Sequence, residues 1–282
     1  MKRILAACFS LLTLAACSKA SFLNALITRD GYSVKRDIAY GEHPRHRLDL
    51  YVPHGVQRAP IIVFYYGGSW QYGSKNDYRF LGQAFAEKGF ITAVVDYRLY
   101  PEVKFPAFVE DGARAFAHIH AHAAQWGGDP ERVYVAGHSA GAYIAMMVGG
   151  DPSYLASVGG NRSDVRGVIG IAGPYDFLPF TDDAIKAIFS TATDAETQPI
   201  NHLTAPMPPV FLATGERDVD VDPRNSHRVE AKLISMGSEV IAHRYVEAGH
   251  IGIILSLAQG FRSRTSLLED IDRFVNAEPS RE

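Results

Sequence analysis

From residue 61 onward the chain alternates short apolar runs with stretches of helical periodicity, and no other feature restricts the possible folds as much. The runs at 61–65, 91–95, 133–136, 165–171, 210–212 and 240–246 are short, and several are unbroken, as in strands covered on both faces. Helical patterns fall at 78–88, 106–125, 140–148, 224–236 and 261–275. A strand, a helix and a second strand in succession specify a crossover to a parallel neighbour. The expected class is therefore α/β, a mainly parallel, doubly covered sheet of about eight strands. Two earlier β-type runs, 34–40 and 48–52, are joined by a loop bearing Gly41 and should add an antiparallel hairpin at one edge. Residues 32–282 read as this one domain. A hydrophobic fraction of 47% and a charged fraction of 21% suit a chain of 282 residues with a sizeable core. The formal net charge of -3 leaves no basic surplus for a phosphate backbone, so nucleic acid is not an expected partner.

The N-terminus has a different character. Met1-Lys2-Arg3 and the apolar stretch 4–16 form a basic region and a hydrophobic region too short to span a bilayer, which is the pattern of a secretion signal. Its end, Leu14-Ala15-Ala16-Cys17, resembles the bacterial lipobox, in which the cysteine is lipidated after cleavage. The expectation is a lipoprotein signal peptide at 1–16, lipid on Cys17 and a tether over 17–31. Membrane contact would then come through the lipid anchor, and Ser18 after the cysteine points to the periplasmic side of the outer membrane. Cys8 lies in the removed segment and Cys17 would carry lipid, so no internal disulfide is available from the two cysteines.

The run at 133–136 leads directly into Gly137-His138-Ser139-Ala140-Gly141 and then a helix of small residues. This is G-x-S-x-G in the strand, turn and helix setting that makes it meaningful. The tight turn lifts the serine hydroxyl above the sheet, and glycines on either side avoid collision. A serine hydroxyl is a weak nucleophile at neutral pH, so it needs a base, and the base needs an acid that fixes its tautomer. In chain order the acid comes first and the histidine last. Of eleven histidines, four follow Ser139: His202, His227, His243 and His250. His250 lies just past the last strand, where a loop can carry an imidazole over the serine. For the acid, the loop after 210–214 offers Asp218, Asp220 and Asp222. Asp222 precedes Pro223 and a helical run, which suits an N-cap. Asp218 is favoured for reach and Asp220 stays as its rival, because spacing does not separate them. Acyl transfer also needs N–H donors for an oxyanion. Ala140, at a helix N-terminus, supplies one, and the loop Gly67-Gly68-Ser69-Trp70 after the 61–66 run is placed to supply others.

These residues resemble a known group. Tyr66-Gly67-Gly68-Ser69-Trp70 is similar to the H-G-G-x-W element of the α/β-hydrolase esterases that include bacterial feruloyl esterases and kynurenine formamidases. Asp96-Tyr97-Arg98-Leu99 with Pro101, Pro106 and Asp111 looks like a segment shared with hormone-sensitive-lipase-like esterases. Gly127-Gly128-Asp129-Pro130, Gly173-Pro174-Tyr175-Asp176 and the 215–218 segment extend the likeness over nearly everything from 48 to 250. The resemblance implies the α/β-hydrolase fold with a small cap insertion at about 174–209. It implies catalysis by Ser139, Asp218 and His250, with the oxyanion held by the backbones of Gly67, Gly68, Ser69 and Ala140. It also implies hydrolysis of small-molecule carboxylic esters. An amidase, formamidase or peptidase on the same triad is the first alternative, and a catalytically silent envelope lipoprotein acting in binding is the second. Two departures are visible: Tyr66 stands where the family has histidine, and the stretch from Asp218 to Pro223 is one residue longer than usual.

His118, His120 and His122 alternate in a helical run, with His118 and His122 on one face; without further ligands they read as an ordinary helix face. No cofactor or metal is expected, and no protein partner is evident. Tyr65, Tyr66, Trp70, Tyr72, Phe177 and Phe180 are candidates for an acyl or alcohol pocket, although aromatic residues in such positions are core at least as often.

Overall fold

The computed structural model describes residues 28, 30–205 and 207–277. The signal segment 1–16, Cys17 and nearly all of the expected tether lie outside those residues. Among the described residues, no helix is long and apolar enough to cross a membrane.

The strands are β1 (Tyr32–Ala39), β2 (Arg47–Pro53), β3 (Ala59–Tyr65), β4 (Ile91–Val95), β5 (Gly128–His138), β6 (Gly167–Ile171), β7 (Val210–Gly215) and β8 (Val240–Tyr245). They form one sheet of eight in the order β1-β2-β4-β3-β5-β6-β7-β8. β1 pairs antiparallel with β2 and β2 antiparallel with β4, while every pairing from β4 to β8 is parallel. The edge hairpin and the parallel remainder are thus the expected α/β arrangement. Every residue of β3, β4, β6 and β7 is buried, which is why those strands read as unbroken apolar runs. β8, at the edge, has no fully buried residue and is half-buried or exposed along its whole length.

The helices are α1 (Arg79–Glu87), α2 (Ala107–His122), α3 (Ala140–Gly150), α4 (Pro152–Ala156), α5 (Asp183–Ile188), α6 (Pro199–His202), α7 (Arg224–Ser235), α8 (His250–Leu255) and α9 (Leu267–Asn276). α3 is apolar or small on every side and buried at every residue, packed between β5 and β6 on one side and α2, α4 and α6 on the other. The helical run expected over 261–275 begins later, at Leu267. Thr265 is extended (φ -148°, ψ 164°), which leaves only a 3-10 turn at Arg262–Arg264 before it. His118 and His122 stack on each other with centroids 4.4 Å apart, and Nδ1 of His122 bonds the His118 carbonyl, so this pair is a packed helix face. Burial and the neighbouring His122 hold the His118 imidazole below its ordinary pKa.

The connection from β6 to β7 contains α5, a 3-10 turn (Asp194–Thr197) and α6. Asp182 starts α5 by accepting the N–H groups of Ala184 and Ile185. The connection is tied down at two points in its middle: Phe105 N–H bonds the Ile188 carbonyl at 3.0 Å, and Tyr143 Oη of α3 donates to the Thr197 carbonyl at 2.9 Å. Phe189 closes it from above against Trp70, Phe105, Phe108 and Tyr143. A second tie fixes the loop after β4. The Arg98 guanidinium donates to both oxygens of buried Asp111 on α2, and Nε2 of His46 bonds the same carboxylate at 2.9 Å.

Candidate active site

β5 ends at His138 and α3 begins at Ala140, so a single residue, Ser139, makes the turn between them. Its φ of 55° and ψ of -125° are unusual for a residue with a side chain, a strain of about 1–3 kcal/mol that the surrounding packing must sustain. The turn closes only because its flanks lack side chains. A Cβ on Gly137 would lie 2.2 Å from the Gly141 backbone, and one on Gly141 would lie 1.9 Å from the Tyr65 carbonyl oxygen. The serine N–H is held by the Ile171 carbonyl at 2.9 Å. Its hydroxyl is raised at the carboxyl end of the parallel sheet, where such sheets collect their ligands.

Nε2 of His250 lies 2.9 Å from Ser139 Oγ, and Nδ1 lies 2.7 Å from Asp218 Oδ2. Ser139, Asp218 and His250 are each no more than 9% exposed, so these hydrogen bonds are shielded from water. With Nδ1–H donated to a carboxylate, Nε2 presents a lone pair to the hydroxyl, the state required to accept its proton. The other Asp218 oxygen accepts the N–H groups of Asp220 and Val221, both at 2.9 Å, which locks the carboxylate. Asp220 is exposed and makes no bond to the imidazole, so Asp218 is the acid in contact with His250. Asp222 accepts the N–H of Arg224 and thereby caps the first turn of α7, as its sequence position suggests. His250 does not sit in an open loop but is the first residue of α8, because Gly249 is extended (φ -103°, ψ -178°) and α8 begins immediately after it.

The loop after β3, expected to supply N–H donors, differs from that expectation in one respect. Gly67 donates its N–H to Tyr78 Oη at 3.3 Å, so that group is taken. What Gly67 provides is space: a Cβ there would fall 2.9 Å from the Ser139 Cβ. Among the described residues no hydrogen bond occupies the N–H of Gly68, Ser69 or Ala140, and these remain as donors. The loop holds a conformation that side chains rarely adopt, with φ of 134° at Gly68, 51° at Ser69 and 58° at Trp70. Tyr66 supports it. Its ring stacks on Tyr97 and Tyr78, its carbonyl accepts Tyr97 Oη at 2.7 Å, and its own hydroxyl is held by Arg45 Nη2 at 2.5 Å. Arg45 also reaches the Gly73 carbonyl at 3.2 Å, at the far end of the loop. Burial pushes the Tyr66 hydroxyl well above its ordinary range and that of Tyr78 up to about 12, so both stay protonated as neutral supports.

Of the aromatic residues expected near a pocket, Tyr65, Tyr66 and Trp70 are core, while Phe177 and Phe180 are half-buried and Tyr72 is exposed. Asp218, Asp220 and His250 bring ligand atoms within 4.8 Å of one another, a spacing a metal could use. Both nitrogens of His250 are already engaged by Ser139 and Asp218, so the imidazole has no lone pair free for one. Three supporting residues carried no sequence signal of their role: Arg45, Tyr78 and His138.

A mainly parallel eight-stranded sheet, a strand–serine–helix turn and a Ser–His–Asp hydrogen-bond chain at its carboxyl end define the α/β-hydrolase fold. Solved structures share it. A bacterial heroin esterase superposes with a TM-score of 0.74 at 23% identity, covering 92% of this chain and 90% of its own. An inhibited esterase B from Lactobacillus rhamnosis superposes with a TM-score of 0.81 at 17% identity, covering 98% and 96%. A family model described as BD-FAE matches residues 48–233, and the chain belongs to that family. Its relatives include the isoprenylcysteine alpha-carbonyl methylesterase ICME of Arabidopsis thaliana, 28% identical over 270 residues, and the esterase LipC of Mycobacterium tuberculosis, 27% identical over 254 residues. These alignments cover 87% and 82% of this chain, and it spans 62% of the length of each relative.

Proposed function

We propose that the chain is a serine hydrolase of carboxylic esters. The observation that carries this reading is the 2.9 Å contact between Ser139 Oγ and His250 Nε2, with Asp218 behind the imidazole. Ser139 gives its proton to His250 and attacks the ester carbonyl. The N–H groups of Gly68, Ser69 and Ala140 receive the oxyanion, His250 returns the proton to the departing alcohol, and water hydrolyses the acyl-enzyme by the reverse sequence. Relatives named as esterases and methylesterases support the ester over the amide.

The segment 174–209 acts as a small cap, and the site's surroundings favour an apolar ester. Tyr72, Leu178, Val219 and Ile251 are large apolar residues left exposed, on the loops that follow β3, β6 and β7 and beside His250. Purified protein is expected to cleave p-nitrophenyl acetate and butyrate, with the matching p-nitroanilides slower by orders of magnitude. Ser139→Ala should lose about 10⁴-fold or more in kcat. An Ser139→Ala variant as active as the parent protein would refute the reading, and preference for the anilide would transfer it to amides.

The N-terminal pattern adds a cellular setting: a lipid-anchored protein of the bacterial envelope. Expression in a bacterium with an alkyne-tagged fatty acid should label the protein, and Cys17→Ser should remove the label. Equal labelling of both would exclude this anchor.

A further inference from the structure

The residue between Gly137 and Ser139 is His138, 2% exposed and fully enclosed by the protein. Its Nε2 lies 3.0 Å from the backbone carbonyl of His250. A carbonyl can only accept, so the His138 proton is on Nε2 and is donated to the base's own main chain. Nδ1 has no partner among the described residues and lies beside Gly67, where a Cβ would be 3.1 Å away. No acceptor is there for a second proton. The two imidazole rings also pack together, with centroids 4.7 Å apart and planes inclined by 40°. Burial, with His250 adjacent, keeps His138 well below its ordinary pKa, so it is neutral.

From this geometry we infer that His138 is a positioning residue that sets the distance between nucleophile and base. Ser139 and His250 are 111 positions apart and arrive on separate elements, α3 and α8. Asp218 fixes the tautomer and tilt of the imidazole through Nδ1, but it belongs to a third loop and, among the described residues, makes no hydrogen bond to the serine segment. His138 joins the two reacting segments directly, being covalently next to the nucleophile and hydrogen-bonded to the backbone of the base. A shift of α8 away from the turn must break that bond. The ring is also suited electrically: His250 becomes cationic as it takes the proton, and a neutral neighbour adds no repulsion at that moment. An unpaired lone pair on Nδ1 is the consequence of keeping His138 uncharged.

The role rests on Ser139 acting as nucleophile, and Ser139→Ala tests that reading on its own. His138→Gln and His138→Met form the matched pair for the positioning role. They are similar in length and volume, and only glutamine retains an N–H that can reach the His250 carbonyl. With p-nitrophenyl butyrate and the purified protein, H138Q is expected within about fivefold of the parent kcat. H138M should fall about 30- to 100-fold in kcat with KM changed less than about threefold, the size of loss that a misplaced reacting group produces. Melting temperatures of the two variants should agree within a few degrees, which separates positioning from folding. Equal kcat in H138Q and H138M, or a loss expressed in KM, would overturn the role while leaving the Ser139 result intact. Retained turnover in S139A would instead remove the reading on which it rests.

Discussion

Asp218 and Asp220 are two residues apart, yet their surroundings give them separate duties. Asp218 is 7% exposed, with one oxygen on the imidazole and the other on two backbone N–H groups; Asp220 contributes only its N–H to that arrangement. A carboxylate held this way fixes the His250 tautomer and, in the proposed reaction, would steady the imidazolium. Asp218→Asn is therefore expected to lower kcat by about 10³- to 10⁴-fold, and Asp220→Asn to stay within about threefold. Steady-state rates with p-nitrophenyl butyrate decide the matter, and the reverse order would assign the acid to Asp220. The sequence could bring both residues to the loop but could not choose between them, because the choice depends on which carboxylate turns inward. The same limit hid which N–H groups of the loop after β3 are left unbonded. Gly67 and Gly68 look equivalent in the sequence, and only the approach of Tyr78 Oη takes Gly67 out of the set. Tyr66 in place of histidine was visible as a departure, while its partner Arg45, from the loop between β1 and β2, was not.

At the level of elements, the turn from β5 to α3 depends on glycine in a way that α8 does not. Gly141 packs its bare Cα against the Tyr65 carbonyl, whereas a Cβ on Gly252 in α8 would meet nothing within 4 Å. Gly141→Ala must push β3 and α3 apart and should cost at least about 3 kcal/mol or abolish folding. Gly252→Ala is expected to be neutral or to stabilise by up to about 1 kcal/mol, since alanine is the better helix former and limits the unfolded chain. Urea unfolding midpoints compare them, and a stable Gly141→Ala protein would contradict the packing described for the turn. Strands covered on both faces, such as Ile91–Val95, were legible because burial leaves an unbroken apolar run. The short helices α6 and α8 were less so. A helix of four to six residues is not stable on its own periodicity and forms where caps and tertiary contacts hold it, as Asp182 and Gly249 do here.

For the molecule as a whole, the topology separates the point where the chain enters the sheet from the candidate site. β1 runs parallel to β3 through β8 by way of two antiparallel pairings, so Tyr32 lies at the end of the sheet opposite the loops of Ser139, Asp218 and His250. The site itself exists only in the folded chain, because its three side chains come from β5–α3, the loop after β7 and the start of α8. A fluorophosphonate reads this directly, since it phosphonylates a serine hydroxyl only where a base has activated it and an oxyanion hole receives the charge. Native protein treated with a fluorophosphonate, digested and mapped by mass spectrometry should carry one adduct, on Ser139. Heat-unfolded protein and His250→Ala should carry none. Absence of an adduct on the native protein, or an adduct on another serine, would contradict the account.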